Sequence, residues 1–89
     1  MIIIVKRKGH KEDFDIKKVY ASVYAACLNV DMHEGEAELI ADKVSSEVES
    51  NLKSEEEVTS THILKLVADT LRKYNNDAAF MYETHRDVS

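Results

Sequence analysis

The sequence predicts an α+β fold in which an N-terminal β-hairpin packs on a small four-helix bundle, and three observations predict it. Ile2 to Arg7 is rich in β-branched residues and runs into Lys8-Gly9, a plausible tight turn. From Asp15 onward the period changes, and apolar residues recur at three- and four-residue spacing, as on amphipathic helices. The chain has 89 residues with no proline, no repeat and no flexible linker, so residues 1–89 form one domain.

The hairpin spans 2–14, with His10 to Phe14 as its returning arm. Lys at the first turn position is weaker than the Asn or Asp that two-residue turns prefer, so the sequence leaves the register open. A first helix over about 16–29 carries the stripe Val19, Tyr20, Val23, Ala26, Cys27 and Val30. Asp15 is its N-cap, and Phe14 and Val19, five residues apart, form a hydrophobic staple.

A second helix is expected over about 33–52. Asp31 to Glu34 has capping-box spacing with Asp in the Ser/Thr place, and the stripe is Ala37, Ile40, Ala41, Val44, Val48 and Leu52. Lys53 to Glu57 reads as a solvated acidic connector. Thr59 or Ser60 caps a third helix over about 60–74, with Val58 and Ile63 spaced as another staple. Asn75-Asn76 interrupts it, and a shorter helix over about 77–86 follows, carrying Ala79, Tyr82 and Arg86.

Charge is unevenly distributed. Met1 to Lys18 holds six Lys/Arg against three Asp/Glu, whereas Val19 to Ser89 holds six against fourteen. An acidic body repels a phosphate backbone, so nucleic acid is an unfavoured partner and a small anion suits the basic end better. No apolar run approaches the ~20 residues of a membrane span, and KRK follows MIII directly, which excludes a signal peptide. The expected location is the cytoplasm. One cysteine, Cys27, excludes an internal disulfide or a CxxC zinc site, and the four histidines have no metal-ligand spacing. Neither a Walker motif nor a nucleophile paired with a base is present, so catalysis is not expected.

Several short motifs recur together in one family. Val5 to Gly9 reads V-K-R-x-G, Glu12 to Asp15 reads E-x-F-D, Lys18-Val19 follows, and V-T-S precedes the third helix. In this order and at these spacings the chain resembles the ATP-cone domain, the nucleotide-sensing module of many ribonucleotide reductases, over essentially its whole length. The resemblance implies a regulatory module that binds ATP or dATP; by their chemistry the carboxylates Glu12 and Asp15 can hold one Mg2+ through the phosphates. Lys6 and Arg7 resemble the phosphate-binding pair, and Glu12 and Asp15 the polar contacts near base and ribose. Lys18 and Val19 resemble the lysine and the adenine-packing aliphatic residue of the first helix. Ser60, or Thr59 with a one-residue slip, resembles the hydroxyl that opens the third helix.

Physical chemistry supports part of this assignment. A triphosphate binder without a glycine-rich loop needs side-chain cations and free helix N–H groups, and Lys6, Arg7 and Lys18 supply the cations. Strand alternation puts Lys6 and Arg7 on opposite faces, so a ligand touches both only at the edge or end of the hairpin. Lys18 and the first helix's N-terminus favour an anion together. One departure stands out: Leu64 occupies the place of a histidine in the best-known members. It motivates an alternative, a cone-derived protein-interaction module that has lost nucleotide binding and uses its acidic helices. One cysteine cannot build the zinc ribbon that accompanies some cones. A lone cone would act through a partner enzyme or regulator, such as a ribonucleotide reductase, or through a homo-oligomer, unless the chain is an excised fragment.

Overall fold

A computed structural model describes residues 2–6 and 8–85, and in it the elements follow the order β1 (Ile3–Val5), β2 (Lys11–Asp13), α1 (Ile16–Asn29), α2 (Glu34–Leu52), β3 (Glu57–Thr59), α3 (Ser60–Arg72) and α4 (Asn76–His85). The expected hairpin and four helices are all present. The helices close into a ring in which α1 packs on α2, α2 on α3, α3 on α4 and α4 back on α1. Its centre is built by Val23, Cys27, Val44, Val48, Val67 and Leu71, each without exposed surface. The α1 and α2 members are the expected stripe positions, and Val67 and Leu71 stand four residues apart on one face of α3, so helical periodicity selects these core residues.

The sheet differs from the expected hairpin. It has three strands in the order β2-β1-β3, with β3 parallel to β1. Residues 57–59, at the edge of what reads as an acidic connector, form this third strand. The register pairs Ile3 with Glu57, Ile4 with Val58 and Val5 with Thr59, and on the other side Ile3 with Asp13, Ile4 with Glu12 and Val5 with Lys11. Val58 supplies the reason: pairing on β1 lets this β-branched residue turn inward, and it is buried while Glu57 and Thr59 remain exposed. Backbone bonds from Phe14 N–H to Ile2 and from Lys6 N–H to His10 extend the hairpin over residues 2–14.

Caps fix the junctions. The Asp15 carboxylate accepts from the Lys17 N–H at 3.0 Å, and the Thr59 hydroxyl accepts from the His62 N–H at 3.0 Å, so Thr59 caps α3 and Ser60 is its first residue. Phe14 packs against the core that contains Val19, and Val58 and Ile63 are both buried in it, as two staples require. Asn75 caps α4, accepting from the Ala78 N–H at 2.8 Å.

Asp31 corrects the expected capping box. It sits at φ 62°, and α2 starts after His33, which makes no side-chain cap bond. Asp31 instead closes α1: its N–H bonds to Leu28 O and the Met32 N–H to Cys27 O, the two bonds of a Schellman ending with Asp in the left-handed place usually held by Gly.

Candidate functional site

Strand alternation divides the bundle-facing side of the sheet into two halves. Ile2, Ile4, Phe14 and Val58 pack against the core at one end. Alternation puts Glu12, the partner of Ile4, on that side, and continuing it past Val5 adds Lys6 with His10 opposite it, while Ser60 begins α3 directly after Thr59 at this end. The sheet face is thus an apolar floor that turns polar toward the hairpin loop.

Three features meet at this polar edge. β1 and β3 run parallel, so Lys6 follows the C-terminal end of one strand while Ser60 opens α3 at the C-terminal end of its neighbour. The positive end of the α3 dipole therefore points to the edge that carries Lys6. The hairpin loop belongs to the same edge. It is closed by a bond from the Gly9 N–H to Lys6 O at 3.0 Å, and it holds Lys8 at φ 77°, exposed and without an ion pair among the described residues. Ser60 is half-buried and its hydroxyl is bonded to no described residue, whereas that of Thr59 is committed to its cap.

One countercharge stands among these groups. Lys6 Nζ lies 3.2 Å from Glu12 Oε1, with each side chain 38% exposed. Glu12 pairs with Ile4, two positions back along the strand from Lys6, so the ion pair is a diagonal one on a single sheet face.

The remaining expected site residues are placed elsewhere. Asp15, Lys18 and Val19 belong to the start of α1, which leaves the sheet at the Ile2–Phe14 end. Four residues of strand, roughly 13 Å, separate that end from Lys6 along β1. Lys18 is exposed and makes no ion pair among the described residues; Asp15 is engaged as a cap. Val19 is 6% exposed and belongs to the core, so it presents almost no surface. Arg7 lies outside the described residues, as does Arg86, expected on the fourth helix. Leu64, one turn beyond Ser60, is half-buried against the core and places an apolar wall below the polar edge.

Sequence reasoning named Lys6, Arg7, Lys18 and Ser60 or Thr59 as ligand contacts, but it did not include His10 and did not anticipate that α3 begins beside the end of β1. The alternation that carries His10 there was available from the strand pattern. The approach of α3 was not, because it depends on β3.

Two charged surfaces lie away from this edge. Between α2 and α3, Glu47 accepts from Lys73 Nζ at 2.6 Å and from the Tyr74 hydroxyl, beside a shallow, open depression lined by Asp42, Lys43, Ser46, Glu47 and Tyr74. These bonds hold the Glu47 carboxyl below its ordinary pKa and raise those of Lys73 and Tyr74. On α1, Tyr20 and Tyr24 stack with centroids 6.4 Å apart and rings 9° from parallel. Partial burial raises both hydroxyl pKa values, and the Glu38 charge on α2 adds to the effect at each. Among the described residues no group of three His, Cys, Asp or Glu side chains could hold a metal, and no helix is long and apolar enough to cross a membrane.

Comparison with known proteins agrees with the motifs. The chain is 33% identical over 92 residues to a transcriptional repressor NrdR from Carboxydothermus hydrogenoformans, covering 99% of this chain and 58% of the relative. Similar proteins of the same name occur in Gloeobacter violaceus, 33% identical over 85% of this chain and 43% of the relative, and in Thermosipho melanesiensis, 30% identical over 98% and 59%. The chain thus spans about half the length of these curated relatives. Their name withdraws support from the expectation that nucleic acid is an unfavoured partner. No solved structure matches the chain. The family model for the ATP cone domain matches residues 2–87, and the chain belongs to that family.

Proposed function

We propose that this cone is a regulatory, non-catalytic module that binds ATP or dATP and places the phosphates at the edge formed by Lys6, the hairpin loop and the N-terminus of α3. The observation that supports this reading is the β1–β3 register, which pairs Val5 with Thr59, so that Lys6 and the start of α3 at Ser60 follow the ends of adjacent parallel strands. An anion there gains from a side-chain cation and from the helix dipole at once. The charges of Arg7 and Lys18 add to the positive field of this end of the chain, and the nucleoside end projects from the edge toward α1. Leu64 removes a hydrogen-bonding side chain from the α3 wall and weakens selection among bases. The relatives named as transcriptional repressors connect the module with transcriptional control, exerted on a partner chain or through self-association.

A nucleotide panel read by thermal melting tests the proposal. A ligand at ~100 times its Kd stabilises by ~2.7 kcal/mol, which for a domain of this size raises Tm by roughly 10 °C or more. ATP or dATP should produce that shift and AMP a much smaller one. A flat panel at millimolar nucleotide would refute the reading.

The α1 surface favours a second reading, a protein-interaction module. Tyr20 and Tyr24 are half-buried, Leu28 continues their row as an exposed apolar residue, and Glu34, Glu38 and Asp42 border the row without ion pairs among the described residues. This surface suits a basic partner. Sedimentation of the protein with cell extract at low and high salt tests it: a salt-sensitive shift lost in Tyr24→Ala supports it, and identical profiles refute it.

A further inference from the structure

We infer that the α1–α2 surface takes the hairpin tip of a second copy of this chain, so that the domain associates head to tail. The inference rests on the second reading above and names its basic partner. Partial burial, then the charges of Glu38 and Asp42, raise the Tyr20 hydroxyl pKa; partial burial, then Glu34 and Glu38, raise that of Tyr24. The carboxylate row therefore descends α2 as the tyrosine row ascends α1. Glu34, Glu38 and Asp42 recur every four residues, about 6 Å apart along the helix, and the tyrosine rings lie 6.4 Å apart, so two rows of equal pitch run side by side. Exposed Leu28 ends the aromatic row. A cation entering between the rows gains a carboxylate on one side and a ring on the other.

The same chain carries matching cations. Its hairpin tip holds Lys8 at φ 77°, exposed and without an ion pair among the described residues, in a segment, Met1 to Lys18, with six Lys/Arg against three Asp/Glu. Among the described residues no ion pair joins this tip to Glu34, Glu38 or Asp42. Two surfaces of opposite charge are thus left open on one chain, and a second copy can satisfy both. The contact is heterologous, since tip and groove are different surfaces, so successive copies form a ring or an open chain rather than a two-fold dimer.

Charge reversal tests this. Lys8→Glu and Glu38→Lys both change exposed side chains, and circular dichroism confirms that each variant folds. In sedimentation equilibrium of nucleotide-free protein at low salt, the average mass of wild type should rise with concentration and return to that of the monomer at high salt. Each reversal alone should weaken self-association about tenfold or more, because like charges then meet in the contact. An equimolar mixture of the two variants should regain association, since the hairpin of Glu38→Lys and the α1–α2 surface of Lys8→Glu are both native. A wild type monomeric at every concentration, single variants that still associate, or a mixture that stays monomeric would each overturn the inference. A fluorescent oligoarginine peptide separates this failure from that of the second reading. If the peptide binds a monomeric wild type but not Tyr24→Ala, the surface takes a basic partner other than its own copy and only the inference falls. If it does not bind wild type and no self-association is seen, the second reading falls with it.

Discussion

The bundle and the sheet are built to different standards of burial. In the bundle, Val23, Val44, Val48, Val67 and Leu71 have no exposed surface. In the sheet, Ile3, Ile4 and Val5 are all only half-buried, β2 is Lys-Glu-Asp, and Val58 is the buried strand residue. Three strands of three residues cannot bury much apolar area, so the bundle carries the stability of the domain. The sheet is correspondingly easy to rearrange. A nucleotide bound at its polar edge can move the hairpin without disturbing the core, whereas a ligand among the helices would have to open it.

Truncation should break the comparison if it is wrong. Leu71→Ala removes a fully buried side chain and should cost about 2–5 kcal/mol, close to the whole stability of a small domain. Ile3→Ala, on the outer sheet face, should cost well under half as much. Urea denaturation of both variants checks this, and equal losses would show that sheet and bundle form one stability unit.

The junctions between the two regions come next in size. Thr59→Ala deletes the hydroxyl that caps α3 and should cost about 1 kcal/mol, and Asp15→Ala about the same at α1. Thr59 serves both regions, pairing in β3 and capping α3. Its loss should therefore also speed amide exchange in Ile3–Val5, while the loss of Asp15 should leave those amides protected.

Within the bundle, Ser45 provides a test of opposite sign. Its hydroxyl is buried and has no hydrogen-bond partner among the described residues. Ser45→Ala removes this desolvated group and adds helix propensity, and should raise stability by about 1 kcal/mol in thermal melts.

The Glu47 clamp gives the smallest effect, and its sign follows from the directions of the shifts. Hydrogen bonds from Lys73 and Tyr74 lower the Glu47 pKa, so its contribution is present above the ordinary value of 4.5 and is lost as pH falls through the lowered one. The Lys73 and Tyr74 pKa values are raised, first by the bond to Glu47. Their contributions are present below the ordinary 10.5 and 10.0 and are lost as pH rises through the raised values. The difference in urea midpoint between wild type and Glu47→Gln should therefore be greatest near neutral pH and shrink toward both extremes. High salt should diminish it throughout, because the pair is open to solvent, above all at Lys73.

Much of this division is written in local sequence. Periodicity marks the four helices, and caps at Asp15 and Thr59 with staples at Phe14 and Val58 are short-range patterns whose physics needs no distant partner. Asp31 misleads because aspartate suits both an N-cap and a left-handed helix ending, and only the chain's path decides between them. Strand β3 is illegible for a related reason. Three residues beside a run of glutamates have no period, and their pairing with β1 is made after two helices have intervened. The candidate site inherits that difficulty. Lys6 stands out from its charge and its motif, but its neighbour Ser60 is set by the parallel register. Val19 carries two expectations at once, a core stripe position and a base contact, and burial satisfies the first.

The most direct measurement of the central claim is a backbone amide NMR titration with ATP. If the polar sheet edge holds the phosphates and the bundle stays intact, the largest shift changes should fall on Lys6 to His10 and on Ser60 to His62, while Val44, Val48 and Val67 remain unmoved. Changes centred on α2, or spread evenly through the bundle with the hairpin and the start of α3 silent, would contradict the account.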